Sequence, residues 1–549
     1  MPTKPCADLS SLDLRAVSGE GSRITKAEDT TANGLKVCRV TGLLAPSIGF
    51  EVRLPTETWT QRYLQVGCGG LCGNIRLTAG AADGCVPLQA GGFVVAGTDM
   101  GHQGRDASFG DDPQKRADFA FRAQHLTAVA AKKLILAYYG RPQAYAYFTG
   151  CSDGGREALV EAQRFPDDFN GIVAGAPAMN FQVQNAVFHA WQARANTDPD
   201  GKAILLAARL PVLHKAVLAA CDRLDGLEDG LISDPLACRF DPGSIQCREG
   251  TQDPASCLTE AEVAVVRKLY DGPRDPRTNE RLTVAGPLPG SELAWAGVYV
   301  PASTNQPVFS RFIALDALRS VAFEKNPPAG FGLDDLAFDQ ATFDRLRPLH
   351  PLYDATNPDL SAFEAAGGKL ILWHGLADPH ISPVNTIAYH VALDGLMGRK
   401  RAEAFERLYL FPGMYHCAGG DGPSAFDLLT PMLAWVETGI APKAVIARQL
   451  ERSGVSDFGA PGMRGTGPGN PHGGLLPEGG PSAHLIQASP SAGIVRSRPV
   501  YPYPGVAAYD GHGDPNNAES FHLSASEMAF TMPAWMGADF YRPYVPLQR

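Results

Sequence analysis

The sequence contains no run of about 18 consecutive apolar residues, which is the length that a membrane-spanning helix requires. Its first residues, MPTKPCADLSSLDLRAV, also lack the apolar centre of a signal peptide. Positive charge is not in excess, because 48 Lys and Arg face 58 Asp and Glu and leave a formal net charge of −10. We therefore expect neither a membrane nor a nucleic acid as a partner.

The 11 cysteines include no Cys-x-x-Cys pair, and they show no Cys and His spacing typical of structural zinc. Four of them, Cys221, Cys238, Cys247 and Cys257, lie close together in a segment rich in Asp, Gly and Pro. This pattern favours disulfides, which form in oxidising compartments. We expect a secreted or periplasmic protein whose sequence begins after a removed signal, with an added Met.

Two blocks of the chain, at about 50–180 and 365–450, alternate short apolar runs with segments of helical spacing. The runs RYLQVG, GFVVAGTD, AYAYFTG, GKLILWHG and ERLYLFPG predict buried strands of a mostly parallel sheet. Acidic loops, cysteines and prolines replace this pattern between the blocks, which indicates an insertion folding over one end of the sheet. The Gly-, Pro- and Ser-rich stretch at 452–497 predicts a long irregular loop.

The sequence TGCSDGG places Ser152 between Gly150 and Gly154, after a predicted strand and before a predicted helix. Small flanking residues permit the strained turn that exposes a nucleophilic hydroxyl at the end of a sheet. Hydrolases built in this way carry an acid and then a histidine later in the chain, each in a loop after a strand. Asp378 and His416 occupy those loops, so we predict a catalytic triad; an incidental serine in a Gly-rich turn is the alternative.

Three nearby residues compete for these roles. Asp421 follows the predicted histidine and so breaks the expected order, which favours a solvated loop carboxylate. His374 lies within a predicted strand, where a hydrogen-bonded core histidine is the simpler interpretation. For His380, an ordinary exposed loop residue is the simpler interpretation.

The transition state also needs two backbone N–H groups that point at the developing negative charge, which is called the oxyanion hole. The residue after the nucleophile, Asp153, supplies one of them in such folds. The early loop LQVGCGGLCGN is placed to supply the other, and we assign it to Gly70, with Gly69 as the near alternative. A plain tight glycine turn would have the same sequence.

Cys151 precedes the predicted nucleophile, and Cys417 follows the predicted base. If Ser152 and His416 meet, the two cysteines are neighbours as well, and a disulfide would tether both loops. This pair resembles the tannase and feruloyl esterase family, in which a disulfide joins the residues beside the catalytic serine and histidine. Further segments resemble the family in the expected order: GCSDGGREAL, RFPDDFNGIVAGAPA, GGKLILWHGLADPHISP, LFPGMYHCAGGDGPSAFDLLTPMLAWVETGIAP and RPVYPYPGVAAYDGHGDPNNAESF.

The resemblance implies an α/β-hydrolase fold with a large lid domain inserted between the nucleophile and acid segments. On this sequence, the catalytic domain is expected over 1–180 and 351–549, and the lid domain with a calcium loop over 181–350. The resemblance also implies disulfides between Cys6 and Cys38, Cys151 and Cys417, Cys221 and Cys238, and Cys247 and Cys257. For the remaining cysteines we predict a Cys72–Cys85 bond and a free Cys68. Some relatives close the C-terminal tail with a further disulfide, whose positions here are Tyr501 and His522.

The segment CDRLDGLEDGLISDPLAC spaces Asp222, Asp225 and Asp229 along a Gly-rich turn. Hard cations such as Ca²⁺ prefer several carboxylate and carbonyl oxygens on a tight loop, although a solvated acidic turn has the same composition. The resemblance implies that this is the calcium loop of the lid, with further ligands from the backbone carbonyls of Leu227 and Leu231. Calcium would be structural, and no organic cofactor is expected.

The resemblance implies a secreted serine carboxylic-ester hydrolase that cleaves esters of hydroxycinnamic or gallic acids, of plant-cell-wall or tannin origin, through an acyl-enzyme. A hydrolase of phthalate or terephthalate monoesters is the alternative, and it would need a cationic lid residue such as Arg311 or Arg319 for the free carboxylate. A phenolic- or carbohydrate-binding protein without catalysis is disfavoured, because Ser, Asp and His are all present in order.

Overall fold

The computed structural model describes residues 1–104, 106–248, 254–451 and 493–547. Most of the stretch that is predicted to be irregular loop, 452–497, therefore lies outside the described residues. Its last four residues, 494–497, belong to a strand instead of a loop, because they pair with the strand that precedes the stretch.

The strands of the described residues are numbered in chain order. They are β1 (Arg23–Ala32), β2 (Leu35–Leu44), β3 (Ile48–Pro55), β4 (Arg62–Val66), β5 (Phe93–Thr98), β6 (Tyr145–Cys151), β7 (Gly171–Gly175), β8 (Lys369–Gly375), β9 (Glu406–Phe411), β10 (Val445–Leu450), β11 (Ile494–Val500), β12 (Gly505–Tyr509) and β13 (Phe521–Glu527).

The α-helices of the same residues are α1 (Arg15–Ser18), α2 (Val86–Gln89), α3 (Pro113–Ala117), α4 (Ala123–Tyr139), α5 (Asp153–Arg164), α6 (His189–Ala195), α7 (Leu210–Cys221), α8 (Glu260–Asp271), α9 (Phe309–Ser320), α10 (Gln340–Leu346), α11 (His350–Tyr353), α12 (Ser361–Ala365), α13 (Val384–Met397), α14 (Arg399–Ala402) and α15 (Leu429–Thr438).

Strands β1 to β9 form one mixed sheet in the order β1-β2-β3-β5-β4-β6-β7-β8-β9. The pairs β1–β2, β2–β3 and β3–β5 are antiparallel, and every pair from β5–β4 to β8–β9 is parallel. Strands β6, β7 and β8 are buried along almost their whole length, because parallel strands are covered by helices on both faces. The five predicted strands and the α/β-hydrolase fold are therefore confirmed.

Helix α4 shows how local sequence sets an element of this fold. It ends at Gly140, which adopts the left-handed conformation (φ 67°) and donates its N–H to the Leu136 carbonyl. Glycine adopts this conformation without a steric penalty, which is why the helix ends at this residue.

The segment between β7 and β8 adds no strand to the main sheet among its described residues. It contains helices α6 to α12 and includes an apolar cluster of its own, built around Leu213, Val266, Trp295 and Tyr299. The lid therefore follows the nucleophile segment and precedes the acid segment, as expected. Its predicted bounds at 181 and 350 stay a prediction.

Five cysteine pairs are bonded, and four of them are the expected ones: Cys6–Cys38, Cys151–Cys417, Cys221–Cys238 and Cys247–Cys257. The prediction for the other three cysteines is wrong. Cys68 bonds Cys72, and Cys85 is the free cysteine. The turn after Cys68, in which the Cys72 N–H donates to the Gly69 carbonyl, brings Cys68 and Cys72 to a Cα distance of 5.4 Å. Cys85 instead packs in a different apolar cluster, with Leu64 and Val66.

The C-terminal tail contains no cysteine and is held by packing and hydrogen bonds. His522 lies in β13 opposite Ala508, and Arg498 of β11 lies over the Phe521 ring at 4.2 Å. Farther along, Phe540 stacks on His350 at 3.9 Å, and the Tyr541 hydroxyl accepts a hydrogen bond from Asn180.

Within the described part of the chain, no helix combines the length and apolar character needed to cross a membrane.

The cysteine pairing predicts the labelling of the native protein by a thiol reagent. Burial raises the pKa of the Cys85 thiol, so the reactive thiolate is both scarce and inaccessible. We expect no alkylation by iodoacetamide under native, non-reducing conditions and one alkylated cysteine after unfolding, which peptide mass spectrometry will locate at Cys85. Label on Cys68 or Cys72 would contradict the observed pairing.

Candidate active site

Ser152 lies on the turn between strand β6 and helix α5. Its backbone has φ 65° and ψ −122°, a strained conformation for a residue with a side chain. The turn is held because the Ser152 N–H donates to the Gly175 carbonyl and its own carbonyl accepts from the N–H groups of Arg156 and Ala178. A Cβ on Gly154 would lie 2.8 Å from the Cys68 carbonyl, so this position needs glycine.

The structure brings the three predicted triad residues together. Nε2 of His416 lies 2.9 Å from the Ser152 Oγ, and its Nδ1 lies 2.6 Å from Oδ2 of Asp378. Asp378 and His416 are buried, whereas the serine is partly exposed. This chain of hydrogen bonds is the geometry in which a histidine accepts the serine proton and a carboxylate orients the histidine.

Asp378 is held as a carboxylate by its surroundings. Burial acts to raise its pKa, but the facing imidazoles of His416 and His374 outweigh burial and hold the pKa well below its usual range. Its Oδ1 also accepts the backbone N–H groups of His380 (2.8 Å) and Ile381 (3.0 Å). His374 bonds Asp378 through Nε2 and Thr386 through Nδ1, as expected of a hydrogen-bonded core histidine.

Asp421 and His380, the other two residues considered for triad roles, also have defined surroundings. Asp421 is half-buried and accepts a hydrogen bond from the Tyr415 hydroxyl at 2.5 Å, so it supports the histidine loop from the side. The expectation that His380 is exposed is wrong, because its side chain is 3% exposed. Its ring lies 5.0 Å from the His416 ring, since the acid loop folds back under the lid.

The loop that carries Gly69 and Gly70 packs directly against the nucleophile turn. A Cβ on Gly67 would lie 2.7 Å from the Cα of Gly154, so the two backbones are in contact. Asp153 begins helix α5, and the first N–H groups of a helix have no acceptor within it. Both predicted oxyanion donors, Gly70 and Asp153, thus belong to segments that meet beside Ser152. The assignment of their N–H groups stays a prediction.

Sequence reasoning missed the buried charges of helix α5. Arg156 makes a two-pronged ion pair with the Asp153 carboxylate, with N–O distances of 2.6 and 3.0 Å. Glu157 accepts the Cys68 N–H at 3.1 Å and the Gln124 side chain at 2.5 Å, so it connects the glycine loop to the nucleophile helix. Burial, with the charge of Asp153, raises the pKa of Glu157 well above its usual value. The only sequence signal is a cluster of charges in a helix that follows a buried strand.

The lid contributes aromatic rings next to the triad. The Phe309 ring lies 4.9 Å from the His380 ring, and His189 lies within 6.2 Å of both rings. Burial, with the nearby His416, lowers the pKa of His189 to about 3, so this ring is neutral. Its Nδ1 is 3.0 Å from the Ser310 hydroxyl. The lid side of the triad therefore carries aromatic rings, of which the His189 ring is uncharged.

The two lid arginines that could bind a free carboxylate are engaged elsewhere or exposed. Arg319 donates Nε–H to the Phe331 carbonyl at 2.8 Å. Arg311 is exposed on helix α9, on the side away from the buried Phe309 and Ser310.

The acidic loop of the lid offers oxygen ligands to a cation. Asp222 accepts the Gly230 N–H, Asp225 accepts the Leu227 N–H and the Ser233 hydroxyl, and these bonds shape the loop. Burial, with the negative charge of Asp229, raises the pKa of both Asp222 and Asp225. Among the described residues, no hydrogen bond engages the carbonyls of Leu227 and Leu231. These oxygens fit the ligand preference of Ca²⁺.

Asp229 differs from the other two aspartates because it faces the C-terminal strand β11. Its Oδ2 pairs with the Arg498 guanidinium and lies 3.6 Å from the Arg496 guanidinium, whereas its Oδ1 accepts the Leu231 N–H. The loop and the tail are thus joined through this carboxylate, and Oδ1 is the oxygen that faces the loop.

The chain is similar in sequence and fold to several known proteins. A sequence profile described as "Tannase and feruloyl esterase" matches residues 32–524. An uncharacterized esterase of Xanthomonas campestris pv. campestris is 34% identical over 94% of this chain and 90% of that protein. A mono(2-hydroxyethyl) terephthalate hydrolase of Piscinibacter sakaiensis is 31% identical over 89% of this chain and 85% of that protein. The crystal structure of feruloyl esterase B from Aspergillus oryzae has the same fold, with a TM-score of 0.76, 24% identity, and coverage of 95% of this chain and 100% of that chain.

The disulfide between Cys151 and Cys417 yields a prediction, because it ties the residue before Ser152 to the residue after His416. We expect the double substitution Cys151→Ala and Cys417→Ala to lower ester hydrolysis at least tenfold, as the imidazole is no longer held at the serine. Stability should fall by about 2–5 kcal/mol, which denaturant unfolding will measure.

The matched control is Cys247→Ala with Cys257→Ala, which removes a lid disulfide in another part of the chain. Activity within twofold of wild type is expected for this control. Equal activity losses in both double variants would mean that the Cys151–Cys417 bond acts only through overall stability.

Proposed function

Because this chain belongs to the tannase and feruloyl esterase family and is a carboxylic ester hydrolase, we propose that it cleaves esters of aromatic acids, hydroxycinnamic or gallic, through an acyl-enzyme on Ser152. The observation that carries the proposal is the hydrogen-bonded chain from Ser152 through His416 to Asp378, located on a strained turn at the end of a central strand.

The reaction follows from the roles of these three residues. His416 accepts the serine proton as Oγ attacks the ester carbonyl, and Asp378 holds the imidazole in the required tautomer and stabilises its charged form. The N–H groups of Gly70 and Asp153 donate to the oxyanion of the tetrahedral intermediate. His416 then protonates the leaving alcohol. Water, activated by the same imidazole, releases the acid from the acyl-enzyme.

The aromatic wall supports an aromatic acyl group as substrate. The rings of Phe309 and His380 lie beside His416, and aromatic rings pack favourably in edge-to-face arrangements such as theirs, with an interplanar angle of 82°. An uncharged phenolic acid, of plant-cell-wall or tannin origin, needs no cation. A terephthalate monoester carries a free carboxylate and would need one; of the two candidate arginines, Arg319 bonds the Phe331 carbonyl and Arg311 is exposed.

We further propose that the lid binds a structural Ca²⁺ through the carboxylates of Asp222, Asp225 and Asp229 and the carbonyls of Leu227 and Leu231. When bound, the ion would neutralise carboxylates that burial and mutual repulsion disfavour. It would hold the loop between Cys221 and Cys238 in place, and it would hold the C-terminal strand through Asp229, without contacting substrate.

The five disulfides support a secreted or periplasmic location, where such bonds persist.

Substitution of the triad residues tests the mechanism. Ser152→Ala should abolish turnover of methyl ferulate, and Asp378→Asn should lower kcat by about 10³- to 10⁴-fold because the imidazole loses its orienting carboxylate. Asp421→Asn is the matched control, since Asp421 is the other carboxylate near His416; a loss of less than tenfold is expected. Retained activity in Ser152→Ala would refute the proposed nucleophile.

The substrate class is tested by kcat/KM for methyl ferulate, methyl gallate and mono(2-hydroxyethyl) terephthalate. We expect an uncharged hydroxycinnamate or gallate ester to be preferred at least tenfold over the terephthalate monoester. A preference for the monoester would favour the alternative function while leaving the triad assignment intact.

Removal of calcium tests the lid site. Exhaustive dialysis against a chelator should lower Tm, and added Ca²⁺ should restore it, because the ion binds the folded loop only. In Asp225→Asn, which keeps the side-chain volume, the restoration should be lost. An unchanged Tm in chelator, with no calcium found by elemental analysis before dialysis, would contradict the site.

A further inference from the structure

Three side chains that can bind a metal ion converge at the end of helix α5 that is remote from Ser152. They are His125 of α4, Glu161 in the last turns of α5, and Asp168 in the connection to β7. One ring nitrogen of His125 and one carboxylate oxygen from each acid lie within 4.8 Å of one another. Nine residues of helix separate Ser152 from Glu161, which is roughly 13 Å along the axis, so the cluster is outside the candidate active site.

Glu161 is the unusual member of this cluster. It is fully buried, and neither of its carboxylate oxygens accepts a hydrogen bond from a donor group among the described residues. Its carboxyl group faces the carboxylate of Asp168 instead. Burial, with the negative charge of Asp168, raises its pKa well above the usual value. A buried polar group without a partner is costly, and the C-terminal end of a helix disfavours negative charge further.

The nearby nitrogen groups, on Lys132 and His125, bond Asp168 instead of Glu161. Lys132 Nζ lies 2.9 Å from Oδ1 of Asp168, and Nδ1 of His125 lies 2.6 Å from Oδ2. Together these contacts hold the pKa of Asp168 below its usual value, although burial acts to raise it. An ion that replaces the proton between His125 and Asp168 would also supply the missing partner of Glu161.

We infer that His125, Glu161 and Asp168 form a binding site for a divalent transition-metal ion, for which zinc is the best match. One imidazole and two carboxylates suit Zn²⁺ and disfavour Ca²⁺, which takes oxygen ligands. Zinc lies about 2.0–2.2 Å from such ligands, so the ligand atoms around a bound ion are roughly 3.5 Å apart. The ligand atoms here lie within 4.8 Å of one another, and small side-chain rotations would bring them to that distance.

The surroundings suit such a site. The His125 ring stacks on the Phe165 ring at 4.0 Å with an interplanar angle of 9°, which restricts its orientation. The His125 side chain is 31% exposed, so an ion has a path from solvent, and water can complete the coordination. A bound ion would join α4, α5 and the segment before β7, and so brace the helix that begins after the nucleophile.

The test uses the full-length protein, stripped by chelator and returned to a buffer with saturating Ca²⁺, so that the proposed lid site is constant. Zn²⁺ is then added, and binding is measured by calorimetry and by the change in Tm. Co²⁺ serves as a spectroscopic probe, because imidazole and carboxylate ligation gives visible absorption bands. The variants are Glu161→Gln, which keeps the volume and removes the charge, and His125→Asn.

We expect the wild type to bind one equivalent of Zn²⁺ at this site and to gain at least about 3 °C in Tm. Glu161→Gln should bind more than about 100-fold more weakly, a larger loss than removal of a residue that only orients a ligand. In chelator, Glu161→Gln should be at least as stable as wild type, because it removes a buried acid without a partner. It therefore separates loss of the ion from loss of the fold.

The control variant is His512→Ala with His522→Ala, which removes two exposed histidines of the tail that could bind zinc at the surface. Its zinc affinity at the proposed site should be unchanged. The inference is overturned if zinc neither binds nor raises Tm in the wild type, which would leave a protonated Glu161 only, or if Glu161→Gln and His125→Asn bind zinc as tightly as the wild type.

Discussion

The strained backbone at Ser152 is the constraint on which the site depends. A residue with a side chain reaches φ 65° only where its surroundings compensate the steric cost, which is of order 1–3 kcal/mol. Here the compensation comes from both ends of the turn. Strand β6 is paired on both sides in the centre of the sheet, and the first N–H groups of α5 close on the Ser152 carbonyl. The disulfide from Cys151 to Cys417 then brings the histidine loop to the same point.

Helix α5 connects the strained turn to the rest of the catalytic domain through buried polar contacts. Its residues from Asp153 to Ala162 are all buried, although four of them carry ionisable groups. Arg156 satisfies Asp153 and also donates to the carbonyl of Ala120, so breaking this pair would leave a buried charge at a cost of about 3–5 kcal/mol. Glu157 holds the glycine loop through the Cys68 N–H. Glu161 is the exception, because within the described part of the chain no donor group bonds its carboxylate.

The triad could be predicted from the sequence, whereas one cysteine pair and the burial of His380 could not. The turn at Ser152 and the loops of Asp378 and His416 are each marked by a strand before them, and their order along the chain limits the ways in which they can meet. The pairing of Cys68 with Cys72 has a local cause, a tight turn at Gly69, but the sequence also offers Cys85 as a partner for Cys72. Only the packing of Cys85 into another cluster separates the two possibilities. The burial of His380 has a similar non-local cause, because the rings packed against it, His189 and Phe309, lie far away in the chain.

The sequence by itself determined five strands of the main sheet, the nucleophile turn, and the candidate acid and base, since apolar periodicity and glycine positions are local properties of the chain. The tertiary structure decided which lid residues lie beside His416, which cysteines bond near the glycine loop, and which acids are buried without a partner. Those features arise between segments far apart in the chain, such as Phe309 with His380, Asp229 with Arg498, and Glu161 with Asp168 and His125. Distances and burial across such contacts depend on how complete elements pack, and no local pattern of residues encodes them.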